Sequence, residues 1–173
     1  MLLTNTLDTS AEEPASHTES RSIELLVDEL VQALLEFDHQ QAERLVSEAF
    51  SLYPFELVLV EVIQPAMIEV GERWHRNEIN VAVEHFATQF VRRKLAGLMN
   101  VFEGSSHRAT IIVGCAPGEL HDLGALMSSL FLLRRGWHVV YLGPQVPLVD
   151  LLETVGALKP SLVCLSASTI DTA

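Results

Sequence analysis

The chain has 173 residues, 49% of them apolar, with a net charge near −12 and a pI of about 4.9. That length suits one ordinary domain or two small ones sharing an interface, and the apolar fraction excludes wholesale disorder. An acidic balance of this size repels phosphate backbones, which argues against direct nucleic-acid binding by this chain.

The two cysteines, Cys115 and Cys164, lie within apolar, strand-like runs and have no CxxC or Cys/His zinc spacing around them. They read as buried thiols of a protein in the reducing cytoplasm. The opening residues, MLLTNTLDTSAEE, have neither the basic region nor the apolar run of a signal peptide. No apolar run approaches the roughly 18 residues of a transmembrane helix, so no membrane association is expected. Residues 1–20 are polar and lack periodicity, and a disordered leader is expected there.

From Ser22 the pattern becomes helical. Leu26, Val27, Leu30, Val31, Leu34 and Leu35 recur at three- and four-residue spacing, with Ser20 or Ser22 as N-cap. A second helix spans about 40–51 and ends at Tyr53-Pro54, because a residue before proline avoids the α region. A third helical stretch, 55–75, contains Pro65, which should break or kink it. Asn80 is the expected N-cap of a fourth helix, 81–102, whose core contacts come from Val83, Phe86, Phe90, Val91, Leu95 and Leu98. Four amphipathic helices with short connections, over residues 21–103, predict an antiparallel four-helix bundle.

Gly104-Ser105-Ser106 marks a domain boundary, and beyond it the period changes. A strand at 109–115 precedes a helix at 121–135 closed by Gly136. A strand at 137–142, a helix at 148–158 and a strand at 161–167 follow. This alternation predicts an α/β unit over 107–173, a flavodoxin-like, doubly wound parallel sheet. The sequence ends after the third strand, so the sheet is expected to be truncated, or covered by a partner at the free edge that carries Leu162-Val163-Cys164-Leu165.

In open α/β sheets, ligands sit beyond the carboxyl ends of the strands. The first such turn is Cys115-Ala-Pro-Gly-Glu119-Leu-His121-Asp-Leu-Gly124. With one glycine before the helix and no lysine, it is neither a dinucleotide fingerprint nor a P-loop. Two readings stay open on the turn alone. Acidic residues are favoured at a helix N-terminus by the dipole, and His121 would then be incidental. Alternatively His121 is a metal ligand whose other ring nitrogen is held by Glu119.

Glu119-x-His121-x-x-Gly124, followed later by Ser166, resembles the Asp-x-His-x-x-Gly…Ser-x-Leu signature of cobalamin-binding domains, and a preceding four-helix bundle is similar to the cap of methionine-synthase-like modules. The resemblance covers nearly everything from Ser22 onward. It implies His121 as the lower cobalt ligand in place of dimethylbenzimidazole, and Glu119 as its carboxylate partner. It also implies Ser166 as a contact of the displaced nucleotide tail, with Gly124 letting that tail pass close to the backbone. The departures are Glu119 for Asp, Ser168 for the motif Leu, and the missing Gly-Gly segment after a later strand, which bears on the tail's pocket.

Within the cap, Trp74-His75 and Glu84-His85 form a second constellation, which by itself reads as a core-covering Trp with solvated neighbours. At this spacing, and with PGELHDLG and RRGWHVVYLGP downstream, it resembles the CarH/LitR-type adenosylcobalamin photoreceptors. That likeness implies Trp74 over an adenosyl group, Glu84 and His85 lining its pocket, and His75 as the upper cobalt ligand after photolysis. The transcriptional members carry a MerR-type DNA-binding domain ahead of the cap, where this sequence has only the polar leader. The expected function is thus a non-enzymatic, light-responsive regulatory module whose output runs through self-association or a separate protein. The alternative is a corrinoid methyl carrier holding methylcobalamin. Arg92-Arg93-Lys94 reads as a solvated face or helix–helix ion pairs, Met67 and Met99 as core, and Trp137 as a strand residue packed on a helix.

Overall fold

The computed structural model describes residues 21–102 and 108–168. The expected leader, the Gly104-Ser105-Ser106 boundary and everything after Ser168 lie outside the described residues.

Helix α1 (Ile23–Leu35) is capped by Ser22, whose hydroxyl accepts from the Leu25 amide at 3.2 Å. Its predicted stripe is inside: Leu26, Leu30, Val31 and Leu34 are buried, with Val27 and Leu35 at the margin. Helix α2 (His39–Leu52) begins at Asp38, which accepts from the Gln41 amide at 2.9 Å. It ends at Tyr53, which is extended ahead of Pro54 and donates its hydroxyl to the Arg21 carbonyl at 2.6 Å.

The third stretch is helical throughout, and the expected break at Pro65 is absent. Helix α3 (Phe55–Leu57) passes into a π-helical segment (Val58–Ile63) and then into α4 (Gln64–His75). The wider turn closes with the Gln64 amide on the Leu59 carbonyl, and Pro65 follows at the start of α4. A proline's missing N–H and bulky ring are tolerated at such a start, so the chain widens by one turn instead of breaking. Helix α5 (Val81–Phe102) completes the bundle, and the Asn80 side chain accepts from the amides of Ala82 (2.9 Å) and Val83 (3.1 Å).

Strands β1 (Thr110–Cys115), β2 (His138–Gly143) and β3 (Leu162–Ser166) form a parallel sheet in the order β2-β1-β3. Between them lie α6 (Leu123–Arg134) and α7 (Leu148–Leu158). Gly136 closes α6 with φ +79°, a left-handed conformation that favours glycine. Helix α6 begins at Leu123, two residues later than the sequence suggests, because the Glu119 carboxylate captures the His121 amide at 2.8 Å and holds His121 in the turn. Trp137 lies just ahead of β2, half-buried, with the Arg108 guanidinium 5.3 Å over its ring.

One face of the sheet shares a continuous core with the bundle, where α5 packs along α6; the other packs Ile112, Val146 and Leu151 under α7. The outer edge carries Leu162 and Leu165, both exposed. Among the described residues no helix is long and apolar enough to cross a membrane. The packing of α5 on α6 brings the end of α4 and the start of α5 over the carboxyl end of β1.

Candidate functional site

The site begins where β1 runs out. Gly118 takes φ +85° and the Glu119 amide returns to the Ala116 carbonyl at 3.0 Å, so the chain folds back on itself. This turns the Glu119 side chain inward, leaving it 2% exposed, while Leu120 points out. Loops after the other strands lock the turn. The Gln145 amide donates to the Glu119 carbonyl at 3.0 Å, and the Ala116 amide to the Ser166 carbonyl at 2.9 Å.

Both Glu119 oxygens are fully engaged. Oε2 accepts from the Ser168 amide and hydroxyl, each at 2.5 Å, and Oε1 accepts from the His121 amide and from Nδ1, each at 2.8 Å. The Ser168 hydroxyl, seconded by the His121 and Ser168 amides and the imidazole, holds this carboxyl well below the usual carboxylate range despite its burial. An ionised carboxylate only accepts, so Nδ1 is the donor, and in the neutral imidazole this leaves the lone pair on Nε2. The imidazole itself is 79% exposed and faces a cleft of about 420 Å3. This is the arrangement of a metal-ligating histidine with its carboxylate orienter. Cys115, behind the turn, donates weakly to the His121 carbonyl at 3.8 Å, and burial pushes its thiol pKa up. It is a structural thiol.

The opposite wall of the cleft is the cap. Trp74, 46% exposed at the end of α4, stands beside Glu84 and His85 from the first turn of α5. Glu84 is fixed by the Thr88 hydroxyl at 2.7 Å and by His85 Nδ1 at 2.5 Å. Gly124 lies on the floor, and a Cβ there would have a single neighbour, the Ser166 hydroxyl oxygen at 3.8 Å. The fold therefore leaves open space at Gly124, beside Ser166. An adjoining apolar cavity of about 400 Å3, reached past Leu123 and Gly124, is lined by Val60, Ile63, Met67, Val91, Met127 and Phe131. Met67, read as core from the sequence, packs against the core and also lines this cavity.

The structure brings Trp74, Glu84, His85, His121 and Gly124 onto one cleft, with Glu119 beneath His121 and Ser166 beside Gly124. His75 is exposed in the last turn of α4 and does not line it. Two features escaped the sequence. Ser168, noted there only as a departure from a motif, supplies two of the hydrogen bonds to Glu119. Asp122, read as a dipole-favoured residue, instead accepts from Arg92 of α5 and from the Tyr141 hydroxyl of β2.

Among the described residues no group of three or more His, Cys, Asp or Glu side chains could hold a metal ion. A metal on His121 would have to bring its other ligands with it, as a macrocycle-bound cobalt does. The exposed imidazole, the cleft and the space at Gly124 fit such a group.

Two family models described as "B12 binding domain" match the chain, over residues 26–98 and 109–173, together more than three quarters of its length. The HTH-type transcriptional repressor CarH of Myxococcus xanthus is 35% identical over 130 residues, which is 75% of this chain and 43% of that protein. The trimethylamine corrinoid protein of Methanosarcina barkeri is 28% identical over 142 residues, 79% of this chain and 65% of that one. The chain thus spans less than half the length of the repressor it matches. The monomethylamine corrinoid protein of Methanosarcina barkeri shares the fold, with a TM-score of 0.71 at 20% identity over 87% of this chain and 73% of that one. On these matches the chain belongs to the B12-binding domain family, and what it binds is a cobalamin.

Proposed function

We propose that the chain holds adenosylcobalamin base-off, with His121 Nε2 as lower axial ligand, and acts as a non-enzymatic, light-responsive sensory module of the cytoplasm. The observation that carries this reading is the pairing of His121 Nδ1 with a buried, ionised Glu119, opposite a cap wall that presents Trp74 and Glu84. When bound, the cofactor would supply a light-labile cobalt–carbon bond. The chain's own residues do the rest. Glu119 keeps the Nδ1 proton in place, so Nε2 stays available. Trp74 would shield the bound group from water, Glu84 would accept hydrogen bonds from its ribose hydroxyls, and His85 holds Glu84 in position. Gly124 and Ser166 leave room for a nucleotide tail and offer it a hydroxyl. His75, one residue beyond Trp74, would need the end of α4 to move before it could reach the cleft, which suits a ligand taken up only after photolysis. Trp74 and Glu84 would sense whether that part of the cleft is filled and pass the difference to the cap through α4 and α5, with output through self-association or a separate protein.

A second reading, a corrinoid methyl carrier, draws on the likeness to the trimethylamine corrinoid protein. Absorption spectra of the protein mixed with adenosylcobalamin, in the dark and then illuminated, test the proposal. A bound, histidine-ligated spectrum that changes on illumination is expected. No binding, or a spectrum indifferent to light, would refute it. Preference for methylcobalamin with transfer of its methyl group to a thiol would favour the carrier.

A further inference from the structure

We infer that Arg92 and Tyr141 are positioning residues that fix the His121 turn beneath the cap by holding Asp122 from two sides, an inference that rests on His121 being the cobalt ligand. Asp122 follows His121 directly, and its side chain is only 5% exposed. It stands at the N-cap position of α6 yet makes no side-chain cap bond. Its carboxylate is committed elsewhere. Oδ1 accepts from Arg92 Nε at 3.0 Å and Nη2 at 2.6 Å, and Oδ2 accepts from the Tyr141 hydroxyl at 2.9 Å. Tyr141 belongs to β2, in register with β1, so it anchors Asp122 to the sheet. Arg92 belongs to the cap.

Helix α5 therefore touches both faces of the cleft. Glu84, Thr88 and Arg92 succeed one another at four-residue spacing and lie on one side of the helix, where all three line the cleft. Glu84 meets whatever occupies the upper face, while Arg92 holds the turn that carries the lower ligand. A helix is stiff over two turns. Any displacement of α5 that starts at Glu84 must either break a part-buried, charge-assisted pair or pull on Asp122 and with it His121. The Arg92–Asp122 pair thus couples the state of the upper pocket to the placement of the lower ligand.

The test uses the full chain with Arg92→Gln and Tyr141→Phe, plus the double variant Arg92→Gln/Asp122→Asn, which leaves no uncompensated carboxylate if the single variant fails to fold. Backbone hydrogen exchange is measured without cofactor. Separately, the electron spin resonance spectrum of bound cob(II)alamin reports nitrogen coordination by histidine. Loss of Arg92 should speed exchange at 119–124 about tenfold or more while α1 and α2 amides stay unchanged, since only the turn is released. It should also lower the histidine-coordinated fraction of bound cob(II)alamin. Tyr141→Phe should act in the same direction but less, and Arg92→Lys should restore most of both readouts. Exchange that rises evenly along the chain, or stays unchanged at 119–124, overturns the proposal in favour of a purely structural ion pair. A wild-type spectrum without histidine nitrogen overturns the cobalamin-ligand reading instead, whatever the exchange shows, and the ligand-placing role falls with it.

Discussion

Replacing Glu119 by Gln changes no volume and one charge, so its effect comes from hydrogen bonding and ionisation rather than packing. The carboxylate accepts on both oxygens, from the Ser168 amide and hydroxyl on one and from the His121 amide and Nδ1 on the other. An amide has only one accepting atom. If its NH2 faces Ser168, the Ser168 N–H meets a donor. If it faces His121, the His121 N–H does, and Nδ1 must become an acceptor, which moves the ring proton to Nε2. Either orientation strands a backbone N–H, at a cost of about 1–3 kcal/mol. For a chain of this size that lowers Tm by roughly 2–12 °C. If His121 holds the cobalt, cobalamin binding should weaken as well, by about 10- to 100-fold, as it does when a ligating histidine loses its carboxylate partner. The pH dependence has a definite sign. The folded Glu119 pKa lies below its unfolded value, so its contribution is complete above the ordinary carboxylate range and is lost as pH falls through the depressed folded value. Glu119→Gln should therefore flatten the acid limb of the stability curve, while Glu119→Asp, which keeps the acceptor, should recover part of the affinity. Thermal unfolding from pH 7 down to 3, with cobalamin titrations followed by absorbance, measures both. Unchanged affinity in Glu119→Gln, alongside an unchanged acid limb, would refute the idea that Glu119 fixes the His121 tautomer.

Gly124 separates folding from binding. Its Cβ space is open in the protein, so Gly124→Ala should raise stability by up to about 1 kcal/mol in thermal unfolding. A bulkier Gly124→Leu should leave the fold intact and weaken cobalamin binding in the same titration. Trp74, half-exposed at the end of α4, is inexpensive to remove; Trp74→Ala should shift stability by less than about 1 kcal/mol, yet abolish any preference for adenosyl- over methylcobalamin in competition binding. Asn80→Ala removes an acceptor from two amides at the start of α5. It should cost about 1 kcal/mol and, by fraying the turn that bears Glu84, also loosen adenosylcobalamin, measured by dissociation rate.

The elements that the sequence made legible are those set by local rules. The α1 stripe, the Asn80 cap, the Tyr53-Pro54 stop and the Gly136 closure each depend on a few neighbouring residues, and each is found in place. The parallel sheet follows from the strand–helix alternation. Pro65, expected to break or kink the stretch, does not end it: a π-helical segment lies directly ahead and the helix continues as α4. The basic run of α5 divides its work in a way that composition does not reveal. Arg92 crosses to Asp122, Lys94 pairs with Glu43 of α2, and Arg93 stays exposed.

The start of α6 was misjudged for the same reason that the site was only half visible. A turn rich in acidic residues ahead of a helix looks like dipole compensation, and its length in sequence gives no hint that Glu119 is buried. What chiefly keeps Glu119 ionised is Ser168, 49 residues further on and brought close by the pairing of β3 with β1. Without that partner the carboxylate would lose the strongest of the interactions that keep it ionised. A protonated Glu119 could donate to Nδ1, and the ring would then carry its proton on Nε2, the wrong atom for a metal. Strand pairing delivers Ser168 to Glu119, so the sheet that holds the turn also sets the ionisation of the carboxylate on which His121 Nδ1 rests.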